Sequence, residues 1–148
     1  MSTTGHKTWP KLTSLDEFRF LADLVLKHST GDYTLVSLHD QQSGTTRFAN
    51  NQIVQNVDTR RGSLSVTVAF GRRHGTAGTT DFTAGAVQET VTRATHIARL
   101  SPDDPEYLPP VEPQTYLTLP TARAETAAAG PARRLEYTNE AIGQCRME

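Results

Sequence analysis

Metal-assisted hydrolysis needs imidazoles and carboxylates at helical spacing, and this chain has the residue types without the spacing. Its histidines are His6, His28, His39, His74 and His96. None has a glutamate beside it and a second histidine four residues on, so the helical zinc signature is missing. His39-Asp40 is a conceivable ligand pair, but Asp40 falls in a turn-like stretch, and an exposed histidine is the simpler reading. His96 reads as an ordinary helix-surface residue. Cys145, the single cysteine, reads as packing on a final helix and not as a nucleophile. Gly75-Thr76-Ala77-Gly78 has too few glycines and no lysine for a phosphate loop. Asp103, Asp104 and Glu106 suggest paired acids by composition alone; among prolines they read as a solvated acidic run. No catalytic residue, metal ligand or cofactor site is expected in this chain.

One stretch resists a purely structural reading. Arg47 to Asn56 (RFANNQIVQN) crowds amide side chains around an expected strand pair. Asn and Gln are poor strand formers, and a buried amide needs partners. One reading is an exposed polar sheet face with an Asn50-Asn51 turn. The other is a set of amides, Asn50, Asn51, Gln52 and Gln55, that hydrogen-bonds the backbone of an extended peptide or of a partner's strand.

The elements that must hold this stretch follow from periodicity. Ser14-Leu15-Asp16-Glu17 is a capping box, and Leu15, Phe18, Ala22 and Val25 follow at helical spacing. A helix over 15–28 is expected, with Gly31 as a left-handed cap. Residues 33–39 read as a strand, 40–44 as a turn, 45–50 and 52–57 as further extended segments, and 60–63 as another turn. Leu64, Val66, Val68 and Phe70 alternate with Ser65, Thr67 and Ala69, the cleanest period-two pattern in the chain. Gly71 to Gly75 turns the chain, and 76–80 returns as a last strand. A second helix begins near Thr83 and carries Ala84, Val87, Val91, Ala94 and Ala98 as one apolar stripe. Three prolines in 103–110 exclude a helix interior or a central strand there.

The expected fold class is α+β: a two-layer domain, with a mostly antiparallel sheet of four or five strands and two helices on one face. The expected division is a flexible leader over 1–13, the domain over 14–100, a Pro-rich extended linker over 101–122, and the start of a following, incomplete helical segment over 123–148. In that last segment Arg123 to Ala129 forms a turn of helix, Gly130-Pro131 breaks it, and Leu135, Ile142 and Cys145 share a side. It reads as a helix whose partner lies in sequence beyond Glu148.

Composition bounds the function. At 148 residues, 36% hydrophobic and a formal net charge of −1, the chain is long enough for one core and has no electrostatic grip on nucleic acid or on an anionic membrane. No apolar run approaches the roughly 20 residues that span a bilayer, and the polar first residues lack the apolar stretch of a secretion signal. One cysteine forms no disulfide within the chain. A soluble, cytoplasmic protein is expected.

The amide-rich stretch carries a resemblance. Arg47-Phe48-Ala49-Asn50-Asn51-Gln52-Ile53-Val54-Gln55-Asn56 resembles the "RFANNQIHQN"-like segment near the start of TldD/PmbA proteins. Leu64–Phe70, Gly71–Asp81, Thr83–Leu100 and Pro102-Asp103-Asp104-Pro105 resemble the strand, return, helix and linker that follow it there. The resemblance covers about residues 14–120. It implies the N-terminal domain of a longer protein. One branch of the family is a zinc metallopeptidase with its ligands and glutamate on an HExxxH-type helix; the other lacks that motif. The two branches pair as a heterodimer that degrades unfolded peptides, and members are also described as modulators of DNA gyrase. Zinc would lower the pKa of a bound water while the glutamate moves its proton. That helix belongs to a later part of the family pattern, so this chain is expected to be inactive alone. The resemblance implies a wall of the substrate chamber or a subunit interface, and as partners a second TldD/PmbA-type subunit and an extended peptide. The alternatives are a free-standing binding module of the same fold and an unrelated α+β enzyme or ligand-binding domain.

Overall fold

The computed structural model describes residues 11–108 and 110–145. Most of the expected leader, His6 included, and the last three residues therefore lie outside the described residues. The elements run α1 (Leu15–His28), β1 (Tyr33–Ala49), β2 (Gln52–Phe70), β3 (Arg73–Thr79), α2 (Ala84–Leu100), α3 (Ala124–Ala128) and α4 (Pro131–Cys145). They form two compact units. Of the described residues, one takes the chain up to Gln41 together with Arg61–Leu108, and the other takes Gln42–Arg60 with residues 110–145.

The first unit is the α+β core. Ser14 caps α1 as expected: its hydroxyl accepts from the Glu17 amide at 3.2 Å, and the Glu17 carboxylate accepts from the Ser14 amide at 2.6 Å. Just before the cap, the Thr13 amide and hydroxyl both donate to one Asp40 oxygen, at 2.7 and 2.8 Å. The three strands lie in the order β1-β2-β3. β2 and β3 run antiparallel, from Leu64 opposite Thr79 to Phe70 opposite Arg73. The inward face of β2, Leu64, Val66 and Val68, is fully buried and meets Leu21 and Val25 of α1 and Val87, Val91 and Ala94 of α2. Val36 and Leu38 of β1 close the side of the cluster. Each such valine or leucine contributes about 1.5–3 kcal/mol by leaving water. The α2 stripe also buries Thr90, which the apolar pattern does not include; its hydroxyl donates to the Ala86 carbonyl at 2.7 Å, so no buried donor is left open.

Two glycines set how closely the layers approach. A Cβ on Gly75 would lie 2.6 Å from the Ala94 carbonyl oxygen and 2.8 Å from the Ile97 Cβ, and against the Ala98 amide. With only methyl groups at Ala94 and Ala98, the α2 backbone rests directly on β3. Gly31 is not the left-handed helix cap expected of it: Ser29 is the cap residue, its amide donating to the Val25 carbonyl, and among the described residues only Gly71, of the glycines, has positive φ. Gly31 is needed because a Cβ there would stand 2.5 Å from Val68 Cγ1 and 2.8 Å from the Ala69 oxygen.

Among the described residues the four or five expected strands are three. The expected turns at 40–44 and 60–63 are strand, because β1 and β2 each run uninterrupted, for 17 and 19 residues. Those stretches are polar because that length of strand is largely exposed, and a solvated strand has a turn's composition. The turn that does exist is Asn50-Asn51, with φ of 50° and 58°. Two consecutive left-handed residues are the signature of a two-residue hairpin turn, and asparagine tolerates that conformation.

The second unit joins the far parts of β1 and β2 to α4. Ser43 and Thr59 pair hydroxyls across the ribbon at 3.1 Å, and Thr46 donates to the Asn56 side-chain oxygen at 2.9 Å. The Arg134 guanidinium reaches Asp58 at 2.7 Å and Asn56 at 3.2 Å, and also donates to the Ala129 carbonyl at 3.1 Å. Both side chains of that ion pair are largely buried, 17% and 16% exposed. Gly44, expected in a turn, lies in β1 beneath this pair, and a Cβ there would collide with the guanidinium and with Asp58. On α4 Ile142 is buried and Leu135 half-buried, but Cys145 is exposed; the expected packing of that thiol does not occur.

Gly75→Ala is expected to destabilise the chain by about 2 kcal/mol or more, since backbone stands in the way and cannot rotate aside. Urea unfolding followed by circular dichroism checks this, and an unchanged midpoint would contradict the seam. Asp58→Ala is expected to lose roughly 1–3 kcal/mol by leaving the guanidinium without its charge partner, and the loss should shrink in the Arg134→Met background. The readout is amide exchange along α4, which should speed up in the single variant.

Candidate functional site

Asn50, Asn51, Gln52 and Gln55 all lie exposed at or near the β1–β2 turn. They do not act as one ladder. Asn50 and Asn51 are the turn itself, and their left-handed backbone explains why asparagine suits both positions. Gln52 opens β2 and Gln55 stands three residues further on, so the two point to opposite faces of the ribbon. The amide that makes tertiary hydrogen bonds is a neighbour, Asn56, which accepts from Thr46 and Arg134.

What the turn and strands bring together is broader than the amides. Phe48 is 50% exposed on β1, and Val54 is 63% exposed on β2. Val54 shares a face with Gln52 and Asn56, while Ile53, Gln55 and Val57 share the other, so each face mixes apolar and amide groups. The strand edges are open as well. β1 is an outer strand along its whole length, and β2 is paired to β3 only from Leu64 onward. Among the described residues no further strand pairs with β1 on its outer side or with Gln52–Thr59 of β2, and an uncovered sheet edge is the feature that takes up another strand. Phe48, Val54 and these edges escape a reading of residue types. The signal that could have found them is the failure of residues 45–57 to alternate cleanly: strands with no buried face have no reason to.

Charge around this surface is mixed. Asp58 and Arg134 are spent on each other. On α4, Arg133 pairs with Glu136 at 2.7 Å and lies 4.3 Å over the Tyr137 ring. Its pKa is raised, first by the Glu136 hydrogen bond and then by Tyr137. That pair is solvent-exposed and adds little stability.

The histidines do not assemble a zinc site. Among the described residues no group of three or more His, Cys, Asp or Glu side chains is placed to hold a metal ion. His39 contacts the Gln41 side-chain oxygen at 3.2 Å. His74 stacks on Tyr107 with ring centroids 5.3 Å apart, and its Nδ1 lies 3.9 Å from Asp104, a pair without a third ligand. The acidic run is not simply solvated: the Asp104 amide donates to the Arg72 carbonyl at 3.0 Å, Arg72 donates to the Asp104 and Pro105 carbonyls, and Asp103 stands 3.7 Å from Arg73. These acids fasten the chain after α2 to the β2–β3 turn. No helix among the described residues is long and apolar enough to cross a membrane.

Comparison with known proteins points the same way as the amide-rich motif. Residues 36–98 match the family model described as PmbA/TldA metallopeptidase domain 1. No curated protein matches by sequence. Among solved structures, TldE from Thermococcus kodakarensis superposes with a TM-score of 0.71 at 18% identity, over 87% of this chain and 28% of that one. At that identity the likeness is one of fold, and this chain spans little more than a quarter of the length of that relative. Over residues 36–98, from β1 into the last turn of α2, this chain is thus similar to domain 1 of the PmbA/TldA metallopeptidases.

Proposed function

We propose that this chain serves as the N-terminal domain of a TldD/PmbA-type zinc metallopeptidase subunit, forming a wall of the substrate chamber or a subunit interface. The observation that carries this reading is the β1–β2 ribbon, with open edges and with Phe48 and Val54 left in water. A two-stranded ribbon of this kind takes an added strand by main-chain hydrogen bonds, which read a peptide backbone without selecting its sequence. Asn50, Asn51, Gln52 and Gln55 sit where such a strand would end, and their amides both donate and accept. The family match over 36–98 supports the metallopeptidase setting. The zinc chemistry, proteolysis of unfolded peptides and pairing with a second subunit belong to the complete protein in this reading, and so does a cytoplasmic location. Among the described residues no group of side chains fits zinc, and no hydrolytic step is assigned to them.

Binding to a complete TldD/PmbA-type subunit from the same genome tests the reading. Co-elution with light scattering should give a stable complex. The Phe48→Asp/Val54→Asp pair should weaken it at least tenfold, about 1.4 kcal/mol, with the circular dichroism spectrum unchanged. Gln52→Ala/Gln55→Ala should weaken it by less. Undiminished binding by the Asp pair would remove the ribbon from the interface. Binding of an unfolded peptide in place of the subunit would favour the free-standing module. Alone with added zinc, the chain is expected to cleave an unfolded test protein no faster than buffer.

A further inference from the structure

A pocket of about 310 Å³ opens between the end of α1 and the second half of α2, in the first unit. It is lined by His28, Thr30, Thr92, Thr95, His96 and Arg99. Thr92, Thr95, His96 and Arg99 stand at i, i+3, i+4 and i+7 on α2, which puts them on one helix face. His28 lies in the last turn of α1, and Thr30 follows two residues later. Each of these six side chains can offer an N–H or O–H, and no carboxylate is among them.

Most of those groups are unspent. Of the six, the Thr92 hydroxyl donates to the Gln88 carbonyl at 3.0 Å. The Arg99 guanidinium lies 5.3 Å over the Phe70 ring, a cation–π contact that steadies it without using its five N–H donors. His28, Thr30, Thr95 and His96 make no side-chain hydrogen bond or ion pair among the described residues. Convergent donors without an acceptor favour an oxygen-rich anion. The carbonyl end of α1 opposes this with about half a negative charge. The full positive charge of the Arg99 guanidinium outweighs that half charge.

We propose that this pocket binds a phosphate-type oxyanion, with Arg99 and His96 as principal ligands and His28, Thr95 and Thr30 as supporting donors. The anion is either free phosphate or a phosphate monoester carried by a larger molecule, since the pocket volume exceeds what the oxyanion itself fills. This inference does not depend on the subunit-interface reading, because none of these residues lies on the ribbon.

The test is a titration of the complete chain with inorganic phosphate and, separately, with phenyl phosphate. Amide shifts of Thr92–Arg99 are followed by NMR at constant ionic strength against chloride. Saturable shifts confined to this pocket are expected. Arg99→Gln/His96→Gln should weaken binding at least tenfold with the circular dichroism spectrum unchanged, and Arg99→Lys should retain part of it. Tighter binding of phenyl phosphate identifies an esterified ligand; equal or weaker binding identifies the free anion. Shifts that do not saturate, or affinity that survives the double substitution in a folded protein, would overturn the proposal.

Discussion

The first unit rests on one close approach, the α2 backbone lying on Gly75 of β3. A helix normally stands about 10 Å off a sheet because side chains fill the gap. Here glycine on the strand and alanines at 94 and 98 on the helix remove that spacer at one end of the interface. Leu64, Val66 and Val87 share one buried cluster with Leu21 and Val25 of α1 and with Ala94 of the seam, so the core is continuous with this close approach. Gly31 repeats the arrangement where the chain enters β1, with Val68 against its backbone. A packed interior of valine and alanine gains little area per residue. It therefore depends on fit, and a single added methyl at the seam is felt throughout.

The ribbon obeys a different constraint. Where β1 and β2 belong to the core, one face is apolar and alternation is clear. Beyond Gln41 and before Arg61 no face is required to be dry, and polar and apolar residues mix. Apart from the contacts of Asn56, Asp58 and Gly44 with Arg134, the demand left on that stretch is backbone pairing. This explains how Gly44 and the flanking Gln, Ser and Thr residues can be strand while having the composition of a turn.

What could be read from the sequence divides along the same line. The capping box, the period-two run of 64–70 and the stripe of α2 were legible because burial imposes a period, and each formed where expected. The number of strands was not, because turn composition and solvated-strand composition coincide, and only the pairing of β1 with β2 distinguishes them. Gly31 has the position of a helix cap and Gly44 the neighbours of a turn, whereas close approach explains both: Val68 lies against one and the Arg134–Asp58 pair against the other. That pair joins residues 76 apart in the chain, which no local pattern announces. The Asn50-Asn51 turn was legible as one of two readings of the amide stretch. The exposed Phe48 and Val54 were not, since residue type does not tell exposure.

An isolated two-stranded ribbon is marginal in water, so its persistence here requires an account. Part lies in covalent continuity, because both strands extend into the core sheet and enter the ribbon already paired. Part lies in the turn, whose two asparagines supply the backbone twist that a right-handed ribbon needs. The remainder falls to Arg134, which holds α4 through a largely buried charge pair whose Nε finds no partner among the described residues. None of these three devices buries Phe48 or Val54, and none closes a strand edge. Fold stability and side-chain exposure are thus separated on this ribbon: what keeps it formed is strand continuity, turn geometry and a long-range polar contact to α4, and what it presents is apolar. A structure maintained in that way has its apolar surface and its backbone edges available to another chain without giving up the contacts that hold it together.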